Sequence, residues 1–253
     1  MGLSLKEKNP KILVVGLNPA WQKILIFDKI HSGEVNRAEA SFSYASGKAI
    51  NFARASSHFS TPKIFQFTGG ITGQMLVSSI EAEKFQHASV SVKAPTRTCI
   101  TCIEKKTNTV TELIEPSGKI SQNESEQLLN EIIKQIPKSD GIAICGTFPP
   151  GIKPDFYAKI ANFAKKNSRP LLLDSFKNVR DALKAGITIL KINSSEISEL
   201  SGEKNTNKAT LKLFQQYDIK FIAVTDGAGP VHFFSREEKS HFVLTLPKIK
   251  VLN

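Results

Sequence analysis

A run of small residues around one lysine, Ala45-Ser-Gly-Lys-Ala-Ile-Asn51, is the first segment whose residue types suggest ligand chemistry. It is not a P-loop. That motif needs a Gly five residues before Gly47, where Phe42 stands, and a Ser or Thr after the lysine, where Ala49 stands. The run still predicts a turn that opens a helix. Such a helix start offers free N–H groups to an anionic or hydroxylated ligand, although a tight turn with a solvated lysine explains the same residues.

Three more polar or Gly-bearing turns follow apolar runs that are typical of buried strands. They are Cys145-Gly-Thr-Phe-Pro-Pro-Gly151, Lys191-Ile-Asn-Ser-Ser-Glu196 and Thr225-Asp-Gly-Ala-Gly229. Ligands bind open α/β sheets at the carboxyl ends of the strands, so together the four turns would line one edge with binding loops. Each turn has a structural alternative. The first turn could be a Pro/Gly-rich connection, and the second a capping box of Asn193 with Glu196. The third could be a simple Gly-rich turn, because it lacks the third Gly of a dinucleotide fingerprint.

The cysteines and histidines do not form a convincing metal or redox motif. Cys99 and Cys102 make a C-x-x-C, but their segment reads as a strand, on which residues three apart point to opposite faces. A second Cys or His pair that would complete a zinc site is missing. The histidines have neither ligand nor triad spacing, and we assign no role to any of them: His31, His58, His87, His232 and His241.

Strands and helices must alternate to position these turns, and the hydrophobic pattern predicts that they do. Short apolar, β-rich runs predict strands at 11–17, 63–67, 142–145, 171–173, 187–190 and 221–224. Helical spacing predicts helices at 50–59, 73–85 and 124–136. The alternation predicts an α/β fold with a mostly parallel sheet covered on both faces. Residues 23–44 and 97–114 look like strands without an intervening helix, which predicts a small sheet projecting from a single domain spanning residues 1–253.

Composition and charge narrow the class of protein. Hydrophobic residues make up 40% of the chain and no apolar run is long enough to span a membrane. The N-terminus lacks a signal-peptide core, so we expect a cytoplasmic protein without a membrane partner. The net charge of +11 would suit nucleic acid, but the lysines are scattered and no nucleic-acid motif occurs. A basic surface that attracts phosphorylated substrates explains the charge better.

Six segments resemble the motifs of a known family and occur in the same order as in that family. Gly16-Leu-Asn-Pro-Ala-Trp-Gln22 is similar to Thr-x-Asn-Pro-Ala-x-Asp, and residues 46–53 are similar to Gly-Gly-Lys-Gly-x-Asn-x-Ala. Thr96-Arg97 matches a Thr-Arg pair that starts a lid strand. The other three turns resemble Ser-Gly-Ser-x-Pro-x-Gly, Lys-Pro-Asn-x-x-Glu and Ser-x-Gly-x-x-Gly. The chain therefore resembles the phosphofructokinase B group of ribokinase-like carbohydrate kinases, in particular 1-phosphofructokinases and tagatose-6-phosphate kinases.

The resemblance implies a fold, an activity and a set of site residues. The fold is a ribokinase-like three-layer sandwich with a small β-sheet lid, through which a homodimer would form. The activity is ATP-dependent, Mg²⁺-assisted phosphorylation of a hexose phosphate, with fructose 1-phosphate as substrate. The alternatives are tagatose-6-phosphate kinase activity and an inactive homologue that binds sugar phosphate or only dimerises. The implied sugar-phosphate residues are Asn18, Gln22, Gly47, Lys48, Asn51, Arg97, Gly146 and Thr147. The implied nucleotide residues are Lys191, Asn193, Glu196, Thr225, Gly227 and Gly229, with Glu196 also serving Mg²⁺.

Several residues depart from the family pattern. Gln22 replaces an Asp that usually holds sugar hydroxyls, and it can form hydrogen bonds but brings no charge. Ser46 and Ala49 each replace a Gly. Ile192 replaces a Pro, and Ile114 stands where relatives tend to have Asn. These changes bear on which sugar phosphate is bound and how strongly.

The catalytic base of the family has no counterpart in the given sequence. In relatives, the strand matching residues 248–253 leads into Gly-Ala-Gly-Asp, whose N–H groups form an anion hole and whose Asp deprotonates the attacking hydroxyl. The given sequence ends at Asn253, before that segment and the helices that wall the nucleotide site. We therefore assign no catalytic residue and expect a polypeptide of these 253 residues to have little kinase activity.

Overall fold

The structure is a computed structural model that describes residues 9–245. The predicted strand at 248–253 lies outside the described residues. Within them the strands are β1 Lys11–Gly16, β2 Ala20–Phe27, β3 Ala40–Ser46, β4 Thr61–Thr68, β5 Gln86–Ser91, β6 Thr98–Glu104, β7 Thr109–Ile114, β8 Gly141–Cys145, β9 Leu171–Asp174, β10 Ile187–Asn193, β11 Ile219–Thr225, β12 Val231–Ser235 and β13 Ser240–Leu244. The helices are α1 Lys48–Ser56, α2 Gly70–Ala82, α3 Gln122–Gln135, α4 Phe156–Lys166, α5 Arg180–Ala185, α6 Ser194–Ser201 and α7 Thr206–Gln216.

The larger sheet has nine strands in the order β13-β12-β11-β10-β9-β8-β1-β4-β5. The ladders from β11 to β5 are all parallel, while β12 and β13 form an antiparallel hairpin at one edge. Parallel neighbours need crossover connections, and the helices supply them. The predicted alternation of strands and helices is therefore realised, and the carboxyl ends of the parallel strands lie along a common edge.

Alternating side chains on β1 divide the core into two layers. Val14 packs in a cluster with Ile50 of α1 and Leu76 of α2. Leu13 and Val15 point to the other face of the sheet and belong to the larger cluster, whose helical members come from α3 to α7. Because the strand is apolar on both faces, it can only be stable at the centre of a sheet covered by helices on both sides. The short run at 11–17 predicted a buried strand here, and the structure places it between β8 and β4.

The smaller sheet has four strands in the order β3-β2-β6-β7. Strands β2 and β6 are parallel, and β3 and β7 pair antiparallel at the two edges. These strands lie where the sequence predicted a projecting sheet, although β2 begins at Ala20 and β3 runs on to Ser46. Every residue of β7 is exposed. We refer to this four-stranded sheet as the lid sheet.

No helix among residues 9–245 has the length and apolar character needed to cross a membrane.

Candidate active site

The polar turns singled out in the sequence meet at one edge of the larger sheet. Parallel register aligns the last residues of neighbouring strands, pairing Cys145 with Asp174 across β8 and β9, and Asn193 with Thr225 across β10 and β11. Helix α1 also begins at this edge, since a Cβ atom built on Gly146 would lie 3.8 Å from Cβ of Lys48, the first residue of the helix. The arrangement confirms that the carboxyl edge collects these turns, as expected for an open α/β sheet.

Two lysines share one carboxylate oxygen at the centre of this edge. Lys48 Nζ lies 3.2 Å from Asp174 Oδ1, and Lys191 Nζ lies 3.3 Å from the same oxygen. The side chain of Asp174 is only 17% exposed, so water screens this cluster less than it would screen a surface pair. Because one negative charge faces two positive charges, the cluster keeps a net positive charge that can attract a phosphate.

Sequence reasoning missed Asp174. It ends β9 directly after the apolar run Leu171–Leu173, so its position after a predicted buried strand was the available signal. The polar residues that follow the other strands could be predicted as site residues because they also belong to sequence motifs. Asp174 stands alone, and only the fold places it between Lys48 and Lys191.

Two glycines shape the backbone beside the cluster. Gly146 donates its N–H to the carbonyl oxygen of Asp174 at 2.9 Å and has a φ of 99°. Gly47 has a φ of 132°, and a Cβ atom added to it would lie 3.2 Å from Cα of Pro19. Residues with a side chain rarely adopt such positive φ values. Both glycines are therefore required by the local backbone, apart from any role in binding.

Asn18 links the turn after β1 to the turn after β8. Its Nδ2 donates to Thr147 Oγ1 at 3.2 Å, and its Oδ1 accepts from Ser117 Oγ at 3.0 Å. Arg97 reaches the same residue, donating through Nη2 to the Asn18 carbonyl oxygen at 3.4 Å. Thr147 directly follows Gly146, whose N–H contacts the carbonyl oxygen of Asp174, so the Arg97–Asn18 contacts lie on a turn that neighbours the lysine cluster.

Arg97 has no acidic partner among residues 9–245, and its buried Nε lacks a hydrogen-bond acceptor there. A partly buried guanidinium without a counter-ion is costly, because charged groups lose hydration when they are buried. An anionic ligand would remove that cost, since guanidinium binds phosphate through two parallel hydrogen bonds. Arg97 is thus the side chain in this network best suited to an incoming phosphate.

Gln22 and Asn51 are both partly occupied by contacts within the protein. Gln22 Nε2 donates to Thr101 Oγ1 of the lid sheet at 2.8 Å, which leaves its carbonyl oxygen available. Asn51 Oδ1 accepts from Arg54 Nη1 at 3.1 Å. A salt bridge of 2.6 Å to Glu83 holds that arginine and raises the pKa of its guanidinium. The two amides are therefore oriented by their neighbours, which reduces the entropy lost when a ligand binds.

The turns after β10 and β11 contact each other at the far end of the same edge. Asn193 and Glu196 form a reciprocal capping box, with hydrogen bonds of 2.8 and 3.0 Å between side chain and backbone. Ser194 Oγ donates to Asp226 Oδ1 at 2.6 Å. The Thr225–Gly229 turn closes with a 2.7 Å hydrogen bond from the Gly229 N–H to the Asp226 carbonyl oxygen, and Gly227 has a φ of 53°. The two turns therefore meet beside the N-terminus of α6.

Glu196, expected to serve Mg²⁺, gives one carboxylate oxygen to the capping box. Residues 9–245 contain no cluster of three or more His, Cys, Asp or Glu side chains that could hold a metal ion. Mg²⁺ usually binds through one or two carboxylates together with substrate phosphates and water. The carboxylate of Glu196, which keeps one oxygen outside the capping box, fits an ion of this kind that arrives with a nucleotide.

Burial makes Cys145 unsuitable as a nucleophile. Loss of hydration and the charge of Asp174 raise the pKa of its thiol well above the ordinary value, so the thiolate is not populated at neutral pH. Cys99 and Cys102 of β6 are also free thiols. Burial likewise raises the pKa of Cys99. The chemistry of this edge therefore depends on its cations, amides, hydroxyls and carboxylates.

Comparisons with known proteins agree with this geometry. A family model described as pfkB family carbohydrate kinase matches residues 10–253. Tagatose-6-phosphate kinase from Staphylococcus epidermidis is 30% identical over 251 residues, covering 96% of this chain and 80% of the relative. The chain belongs to the pfkB family of carbohydrate kinases.

Solved structures show the same fold. Phosphofructokinase-2 from Escherichia coli, crystallised in complex with fructose-6-phosphate, has a TM-score of 0.85 at 23% identity, covering 96% of this chain and 82% of that one. Ribokinase from Arabidopsis thaliana, complexed with ribose and ATP, has a TM-score of 0.72 at 16% identity, covering 94% and 78%. The predicted ribokinase-like fold, with its mainly parallel sheet and separate small sheet, is confirmed.

Proposed function

We propose that this protein transfers the terminal phosphoryl group of ATP to a hexose phosphate, with fructose 1-phosphate as substrate and fructose 1,6-bisphosphate as product. The observation that carries the proposal is the pairing of Lys48 and Lys191 on one Asp174 oxygen, with Arg97, which lacks an acidic partner in the described chain, on a neighbouring turn. Phosphoryl transfer depends mainly on positioning and on neutralising the negative charge of the phosphates. Three cations on two sides of one edge suit a reaction between two phosphorylated molecules.

The sugar phosphate is proposed to bind on the side of Arg97. Its phosphate would supply the negative charge that the Arg97 guanidinium lacks among the described residues. The sugar hydroxyls would then meet Asn18, Thr147 and Gln22, which offer amide and hydroxyl groups. Gly47 and Asn51 complete this side at the start of α1. The lid sheet, to which Gln22 belongs, would cover the bound sugar and exclude water from the reaction.

ATP is proposed to bind on the side of β10 and β11. Its phosphates would take over the ammonium group of Lys191 from Asp174, while Lys48 would serve the sugar phosphate, and the N-terminus of α6 would contribute partial positive charge. The turn at Thr225–Gly229 allows close approach of the backbone to the nucleotide. Mg²⁺ bound with ATP would supply further charge neutralisation, with Glu196 as the carboxylate able to hold it.

Tagatose 6-phosphate is the second candidate substrate. The curated relative at 30% identity is a tagatose-6-phosphate kinase, which favours this sugar. The network around Arg97 and Asn18 could serve either hexose phosphate, because both present one phosphate and several hydroxyls. Gln22, which contacts the lid through Thr101, is placed to distinguish the hydroxyl arrangement of the two sugars.

The test measures the binding and turnover of three sugar phosphates with two forms of the protein. One form contains residues 1–253, and the other carries in addition the C-terminal segment of the Staphylococcus epidermidis relative. Calorimetry measures binding of fructose 1-phosphate, tagatose 6-phosphate and fructose 6-phosphate to both, and ADP release measures turnover. We expect fructose 1-phosphate to give the highest kcat/KM. A higher value for tagatose 6-phosphate would establish the second candidate, and neither binding nor turnover with any of the three would refute the proposal.

A further inference from the structure

Arg54 of α1 contacts three elements at once. Its Nε and Nη2 donate to the two carboxylate oxygens of Glu83, directly after α2, at 2.7 and 2.6 Å. Nη2 also donates to the carbonyl oxygen of Ala45 on β3 at 2.8 Å, and Nη1 donates to Asn51 Oδ1 at 3.1 Å. The guanidinium lies 5.7 Å from the ring centroid of Tyr44. One side chain therefore ties α1 to the end of α2 and to the end of β3.

Glu83 holds the guanidinium in one orientation. Two parallel hydrogen bonds to a carboxylate fix the plane of an arginine head group as well as its position. The side chains of Arg54 and Glu83 are only 29% and 33% exposed, so water screens the pair less than it would screen a fully exposed one. With the plane fixed, Nη1 remains turned toward Asn51 before any ligand arrives.

The guanidinium determines which way round the Asn51 amide stands. Because guanidinium has donors and no acceptor, the amide atom that faces it must be the carbonyl oxygen. Nδ2 is then turned away from Arg54, and it forms no hydrogen bond within the part of the chain that the structure describes. Lys48, Asn51 and Arg54 are spaced three apart on α1 and share one stripe of its surface. The free N–H groups of Asn51 therefore lie on the stripe that also carries the ammonium group of Lys48.

We propose that Arg54 is a positioning residue that makes Asn51 a hydrogen-bond donor to the sugar phosphate, an inference that rests on the proposed function. Without Arg54 the amide could rotate and present its oxygen to the ligand. That oxygen would repel a phosphate, which has only acceptor oxygens when fully ionised. The same guanidinium holds the Ala45 carbonyl, two residues before the N-cap Gly47, and so supports the turn that leads to Lys48.

A double-mutant cycle in sugar-phosphate affinity tests this role. Calorimetry on the C-terminally extended form measures the tightest-binding of the three sugar phosphates. Arg54→Gln and Asn51→Ala should each weaken binding by about 2- to 12-fold, the change expected for one hydrogen bond. In the Asn51→Ala protein, adding Arg54→Gln should change the affinity no further, because Arg54 acts through Asn51. A merely structural role would give the same loss in both backgrounds.

Asn51→Asp tests the donor assignment while keeping Arg54 in place. The new carboxylate accepts from Arg54 as the amide does, so the fold is retained, but an oxygen replaces Nδ2. Binding should be weaker than in Asn51→Ala. The matched control is Arg236→Gln, which removes another arginine that pairs with an acid, Asp218, and donates to backbone carbonyl oxygens, but on the β12–β13 hairpin. It should leave the affinity unchanged.

Urea unfolding of each variant establishes that it is folded. A folded Arg54→Gln protein that binds as tightly as the parent, or that loses the same factor with and without the Asn51 side chain, would overturn the inference. An Asn51→Asp protein that binds as tightly as the parent would also overturn it, and this variant decides the matter if Arg54→Gln does not fold. All these results would leave the proposed function intact. Absence of binding of all three sugar phosphates to the parent would instead refute the proposed function and the role of Arg54 together.

Discussion

Gly16 at the end of β1 packs directly against Ala49 in the first turn of α1. A Cβ atom built on Gly16 would lie 2.2 Å from Cβ of Ala49, a distance that no pair of real side chains tolerates. In the family motifs that this chain resembles, a Thr stands at the first position and a Gly at the second. The two departures therefore compensate each other, because the methyl group gained on the helix occupies space vacated on the strand.

Exchanging these two residues should show strong coupling. Gly16→Thr alone should destabilise the protein by about 1–3 kcal/mol through overpacking. Ala49→Gly alone should cost up to about 1 kcal/mol in helix propensity, plus the loss of a buried methyl group. The double variant should be more stable than the Gly16→Thr protein, which urea unfolding of all four proteins would reveal. Strictly additive effects would contradict the proposed contact.

Arg97→Lys should weaken binding of fructose 1-phosphate by about 1–3 kcal/mol. A lysine keeps the charge but loses the paired hydrogen bonds that a guanidinium makes to phosphate. Calorimetric titration measures the difference. Arg169→Lys is the matched control, since Arg169 also has a buried Nε without a partner in the described chain but contacts Pro137 at the opposite edge of the sheet. Equal affinities for the parent and Arg97→Lys would remove Arg97 from the site.

Asp174→Asn should affect anion binding and turnover in opposite directions. Removing the carboxylate frees Lys48 and Lys191, so inorganic tripolyphosphate should bind more tightly, by about 1 kcal/mol for a partly screened charge. Turnover of the C-terminally extended form should fall, because the lysines lose the group that fixes their spacing. Asp218→Asn, which alters an exposed salt-bridge residue, should change neither. Weaker tripolyphosphate binding in Asp174→Asn would contradict the role given to this carboxylate.

The lid sheet should pair with that of a second subunit. Phe42, Val110 and Ile114 share the face of the lid sheet that carries Gln22, and each is more than half exposed. Exposed apolar side chains that share one face of a sheet are commonly covered by self-association. Sedimentation velocity at tens of micromolar should show a dimer, and Val110→Glu should dissociate it. Val35→Glu, at an exposed site outside the lid strands, is the control. A monomeric parent would refute the dimer.

The sequence alone predicted the class of fold and six of the nine strands of the larger sheet, but not β5 or the β12–β13 hairpin. The run at 11–17 is apolar on both faces, which suits a buried strand of a parallel sheet, and parallel neighbours require crossover connections such as the predicted helices. Positions of the turns followed from the same pattern, because a turn after a parallel strand must lie at its carboxyl end. Local motifs, such as the Asn193–Glu196 capping box, could also be predicted from the sequence, because the two partners are only three residues apart.

Tertiary structure decided the relationships between residues that are distant in sequence. Asp174 lies 126 positions from Lys48, and their contact depends on the order in which β9 and β8 lie beside α1. The fit of Gly16 against Ala49 depends on how closely α1 approaches β1. His232 and His241 meet because the hairpin has one particular register. Hydrophobic periodicity specifies which face of an element is buried, but not which side chain on the neighbouring element it will touch, because strand order, register and distance of approach are set by the packing of the whole core.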